Sequence, residues 1–185
     1  MTILWMAGVF NGYAVSFYLK HTPGNLGTTQ IVSNVGSFFV CFIPIIFLRC
    51  LSAKQLSGAI FGLQTLIGVI LLMLDASTVP VWLYNVILTL IIWLASTAST
   101  VLYMTHPHMF PTLFAVTSIG ISNVVARTMT VFAPVVAEQP FPMPIYAITV
   151  LASFACLSSF FLVEQKETIQ NDDGDEKTRL ARKTL

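Results

Sequence analysis

A cation deep inside an apolar run is the first residue of this chain with chemistry to offer. The run from Pro111 to Val136 contains Gly120, Asn123, Arg127, Thr130 and Pro134, spaced three or four apart among apolar neighbours. On a helix these five share one face. An arginine at the centre of a membrane helix costs about 2.5–3.5 kcal/mol on insertion scales, so it normally faces a bundle interior or a watery path. A second candidate face lies on the run before it, where Asn85, Thr89, Trp93, Ser96, Thr100 and Tyr103 also recur at helical spacing. Such a stripe suits a water-lined path or hydroxyl bonding between helices.

Other chemistries find little support. No Ser/His/Asp set falls on facing segments, and no phosphate-binding glycine loop or zinc spacing occurs. His106 and His108 stand two apart in a proline-broken stretch, a poor spacing for two ligands on one helix, so neither an enzyme nor a metal site is expected. The stretch His106 to Pro111 reads as a loop with solvated histidines. Cys41, Cys50 and Cys156 lie in or beside apolar runs, odd in number, and read as packing residues. No cofactor is implied, and the few basic residues of the tail follow an acidic patch, which argues against nucleic-acid binding.

The elements that must position these residues follow from composition. Of 185 residues 56% are hydrophobic and 9% charged, against about 25% charged in a soluble domain. Residues 1–163 hold four Lys/Arg (Lys20, Arg49, Lys54, Arg127) and two acids (Asp75, Glu138); the other eleven charges lie in 164–185. A membrane helix needs about 20 mostly apolar residues. Six runs qualify, over approximately 2–19, 31–48, 56–74, 81–104, 112–136 and 145–163. The fold expected is all-α and integral to the membrane, with a six-helix bundle over 1–163 and a disordered cytoplasmic tail over 164–185. Gly58-x-x-x-Gly62 predicts a close helix contact, as do Ser33, Gly36 and Ser37. The three prolines of Glu138–Pro144 predict a non-helical link. Arg49, Lys54 and the tail cations place the tail side in the cytosol by the positive-inside rule, with Lys20 external.

Several motifs add a resemblance. Six helices, a cationic link after the second, the turn His108-Met-Phe110-Pro111-Thr112 after the fourth, and Arg127-x6-Pro134 in the fifth resemble the C-terminal half of a major facilitator superfamily transporter. The organic ion transporters, which carry organic cations, anions and carnitine, are the most similar group. Glu167-Thr168 resembles the close of that group's last helix, and Asn11-Gly12-Tyr13 a worn Tyr-Tyr-Gly of its seventh. Only the 106–134 portion carries specific motifs.

The resemblance implies alternating-access transport of small organic ions, with substrate contacts at Arg127, Asn123, Thr130, Tyr13 and Trp93. An arginine at the position of Arg127 is similar to that of the anion and carnitine carriers, which points to anions or zwitterions. It also implies a cytoplasmic gate at Arg49, Lys54, His108 and Pro111. That gate departs from the pattern, because His108 and Ala115 stand where the group has Glu and Arg, and no acid accompanies Arg49 and Lys54. The start at Met1 inside an apolar run leads us to expect a missing first half, or else pairing with a second six-helix half. The alternative to a plasma-membrane transporter is a degenerate membrane subunit with a structural or regulatory role.

Overall fold

The computed structural model describes residues 1–22, 26–48, 50–74, 80–110 and 112–162. Among these residues the chain is helical without strands. Its helices are α1 (Thr2–Tyr18), α2 (Leu26–Val40), α3 (Ile43–Phe47), α4 (Ala53–Met73), α5 (Val81–Met109), α6 (Thr112–Thr130), α7 (Ala133–Ala137) and α8 (Met143–Phe160). Taking α2 with α3 and α6 with α7, six helical stretches are long and apolar enough to cross a membrane, compatible with a multi-pass integral membrane protein. Arg49, Pro111, residues 75–79 and residues 163–185, which include the expected tail over 164–185, lie outside the described residues.

Local chemistry explains where the helices start and break. Ser52 caps α4 by accepting from the Gln55 backbone N–H at 3.4 Å, while Gln55 Oε1 accepts from the Ser52 N–H at 3.3 Å. Pro44 and Pro134 lack the N–H that would continue α2 and α6, so each stretch breaks and resumes as the short α3 or α7. The link expected over Glu138–Pro144 is shorter than its prolines imply. Met143 and Pro144 form the first turn of α8, where a missing N–H has no helical partner to lose.

A larger correction concerns His106–Met109. They belong to the end of α5, with Pro107 inside the helix, and not to a loop. Pro107 forfeits one bond to the preceding turn, which a 29-residue helix tolerates near its end.

The packing is that of two three-helix repeats. The short α3 and α7 each follow a Phe-x-Pro break, and α3, α4 and α7, α8 begin ninety residues apart (Ile43 and Ala133, Ala53 and Met143). Exchanging α1 with α5, α2 with α6 and α4 with α8 maps the main helix contacts onto one another. The pairs α1·α5 and α4·α8 are their own counterparts, α1·α6 corresponds to α5·α2, and α1·α8 to α5·α4. Each repeat holds three membrane-length helical stretches, and α1 and α4 of the first run opposite to α5 and α8 of the second.

Small residues set the direction of each seam. Gly8 faces Ser99 and Gly12 faces Ala95, so α1 and α5 run antiparallel. Gly58 faces Ser159 and Gly62 faces Cys156, so α4 and α8 do too, and the close contact expected of the glycine spacing is made here. Ser33 bonds Thr89 and Ser37 bonds Ser96, which makes α2 and α5 parallel. All three agree with strict alternation across a layer. Two apolar clusters fill the bundle. One lies around Val15, Leu71, Leu88 and Ile145, and the other around Leu4, Trp5, Phe61 and Leu102. By contrast α2 and α6 stand at the margins and leave most of their apolar side chains exposed, among them Phe38, Phe39, Val116 and Val124.

Candidate functional site

Two cavities border the stripe of α5. The larger, about 450 Å³, lies between α1, α2 and α5, and the smaller, about 300 Å³, between α2 and α5. Close approach of α1 to α5 at Gly8 and Gly12 forms the floor of the larger one, and its walls carry Tyr13, Ser16, Asn34, Ser37, Ser96, Thr100 and Tyr103. Trp93 stands at the smaller cavity beside Asn85 and Thr89. Its Nε1–H donates to the Ser33 carbonyl at 3.1 Å, and its indole fills the space a Cβ on Gly36 would occupy. The stripe read from the sequence therefore lines real space, and does so through both alternatives at once: Thr89 and Ser96 also bond across to α2.

The walls are polar yet uncharged, since no Asp, Glu, Lys or Arg lines either cavity. Several of the hydroxyls are satisfied within their own helices. Ser16 donates to the Gly12 carbonyl at 2.8 Å, Ser99 to Ala95 at 3.0 Å and Thr100 to Ser96 at 3.0 Å. Each keeps an oxygen lone pair for another donor. Tyr13 and Tyr103 are about half exposed and present phenol hydroxyls and ring faces. The larger cavity can thus accept and donate hydrogen bonds and hold an apolar body, without itself neutralising an ion.

Arg127 stands apart from both. The structure brings Asn123, Arg127 and Thr130 together on α6: Arg127 Nε donates to Asn123 Oδ1 at 3.2 Å, and the Thr130 hydroxyl donates to the Arg127 carbonyl at 2.6 Å. These are contacts within one helix, and Arg127 is exposed. Glu138 is the one acidic residue among those described, and it pairs with Lys20 at the far end of α1. None of the α6 trio lines the cavities of Tyr13 and Trp93, so the five substrate contacts expected from the sequence fall in three places. They are tied together by α1, which gives Tyr13 to the larger cavity and packs along α6.

Of the expected gate residues, Lys54 lies in the first turn of α4, where its carbonyl accepts from Ser159 at 2.9 Å. His108 sits in the last turn of α5, while Arg49 and Pro111 lie outside the described residues.

The residue most misjudged from sequence is His106, expected to be solvated. It is fully buried, with Nδ1 accepting from Trp5 Nε1–H at 3.0 Å and Nε2 at 3.0 Å from Ser118 Oγ. Compared with known protein families and with curated proteins, the chain matches none.

Proposed function

We propose that this chain is one six-helix half of a secondary transporter of the major facilitator type, moving small organic anions or zwitterions by alternating access. The observation that carries the proposal is the cavity of about 450 Å³ between α1, α2 and α5, uncharged, hydroxyl-rich and flanked by two tyrosines. A space of that size and chemistry fits a small organic solute. Two further features support the reading. Inverted three-helix repeats are the internal architecture of a major facilitator half, whose substrate site lies where two halves face each other. Arg127 keeps an exposed guanidinium within a membrane-length helix and has no carboxylate beside it among the described residues.

In this proposal the solute's apolar body sits against Tyr13 and Tyr103, with its polar groups on the hydroxyls of α2 and α5. Its anionic group is met by Arg127 across the α1–α6 seam. A second six-helix half, from the same gene product or another chain, supplies the opposite wall. The tail side, with Arg49 and Lys54, faces the cytosol, and the plasma membrane is the expected location.

Uptake of labelled organic anions into proteoliposomes tests it, using the chain together with its companion half. Arg127→Ala is expected to lower anion uptake by about tenfold or more, the effect of losing a charge-assisted contact of roughly 1.5–3 kcal/mol. Ser96→Leu, which intrudes on the larger cavity, is expected to lower uptake of every substrate. A stable complex without flux would overturn transport and assign the chain a structural or regulatory role.

A further inference from the structure

His106 joins three helices and does so in one protonation state. Trp5 reaches it from α1, Ser118 from α6, and α5 carries the ring itself, with Phe110 stacked on it at 4.8 Å between ring centres. Tyr103 meets Trp5 edge-on at 4.4 Å and fixes the indole from its other side. One turn along α6, the Thr2 and Ser122 hydroxyls lie 3.4 Å apart and close the same seam. An indole N–H can only donate, so the Nδ1 facing it must be bare. The neutral ring then carries its proton on Nε2 and gives it to the Ser118 oxygen, an assignment that follows from the bonding partners.

We propose that His106 is a proton-binding site that unlatches α1 from α5 and α6. A proton added to Nδ1 would set N–H against N–H, and the Trp5 donor would lose its buried acceptor. The closed junction and the protonated ring exclude one another. A proton is therefore taken up as the seam opens, and falling pH shifts the chain toward the open seam.

The other titratable groups near the ring are separated from it by the comparison with His106→Gln below. From α1 the Met1 amino group faces the ring, beside the uncharged Thr2 and Trp5. From α6 come the hydroxyls of Ser118 and Ser122, and from α5 the Tyr103 phenol. From α4 the apolar Leu56 and Ile60 join the cluster that holds Trp5. No carboxylate among the described residues faces it. The site is independent of the transport proposal, since its readout is the seam itself.

Thr2→Cys and Ser122→Cys, introduced into the full chain in lipid nanodiscs with Cys41, Cys50 and Cys156 changed to Ser, report that seam as a disulfide yield. The measurement compares His106 with His106→Gln. Glutamine can accept from Trp5 and donate to Ser118 but has no proton to gain. Between about pH 8 and pH 5.5, across the ordinary histidine range, thiol reactivity changes alike in both proteins, so their ratio isolates the histidine. The His106 protein is expected to lose about fivefold in relative yield, the equilibrium shift carried by one lost buried hydrogen bond. An unchanged ratio overturns the proposal. If His106→Gln gives no disulfide even at the higher pH, Trp5→Phe with His106 retained decides. Its pH step should shrink, because the bond a proton would break is already gone, and a full-sized step there overturns the proposal.

Discussion

The two marginal arms, α2 with α3 and α6 with α7, occupy equivalent places in the two repeats but are attached by different means. The first is held to α5 by buried polar bonds: Ser33 to Thr89, Ser37 to Ser96, and the Trp93 indole to the Ser33 carbonyl. The second lies along α1 through a row of small residues, Ser122, Ala126, Ala133 and Ala137, and its far end is tied by the exposed pair Glu138–Lys20. The first arm walls both cavities, whereas the second carries the buried-face alanines on one side and Arg127 on another. One architecture thus gives a neutral hydrogen-bonding wall on one flank and a cation on the other, and the chemistry follows from the side chains alone.

The largest expected effect distinguishes the arms through their glycines. A Cβ at Gly36 would overlap the Trp93 indole, while one at Gly120 would meet nothing. Gly36→Val should therefore cost about 1–3 kcal/mol or more through overpacking, and Gly120→Val should stay within about 0.5 kcal/mol, as open surface changes do. Thermal unfolding in detergent measures both, and equal losses would break the comparison. Trp93→Phe comes next. It removes one N–H donor from the Ser33 carbonyl and should cost about 1 kcal/mol.

The smallest effect lies in the ion pair of the second arm. Lys20, by its hydrogen bond and charge, holds the Glu138 carboxyl below its ordinary value of 4.5, with His21 adding to the lowering. A depressed carboxylate contributes stability that is present above the unfolded value and lost as pH falls through the folded one. Both groups are well exposed, so the contribution is slight. The melting difference between the parent and Glu138→Gln should stay level from neutral pH down to the ordinary carboxylate range and vanish only in stronger acid. A difference that already fades near neutrality would mean the arm is tied by something else.

Much of the fold was legible because its signals are local. Apolar run length marks each membrane-length helix, and Gly58 and Gly62 mark a close helix contact, though not its partner, before any coordinates are known. The polar spacing on the fourth run likewise finds a wall of both cavities. What stayed hidden depends on partners distant in sequence. Pro107 and Pro111 follow His106 in the pattern of a turn, and only Trp5, 101 residues away, makes it a buried junction. Ser33 and Ser37 look like small packing residues until Thr89 and Ser96 meet them. The internal repeat was equally silent, because packing maintains it while few residue identities do: a Phe-x-Pro break recurs where its neighbours differ.

The hydroxyls that bond back into their own helices have one further consequence. A polar wall in a membrane ordinarily demands solvent, since unpaired groups there are costly. Ser16, Ser99 and Thr100 carry their own substitute for solvent in the carbonyl one turn behind. These three hydroxyls are accordingly satisfied whether the larger cavity holds water or an apolar body. At their positions the wall tolerates being wet or dry.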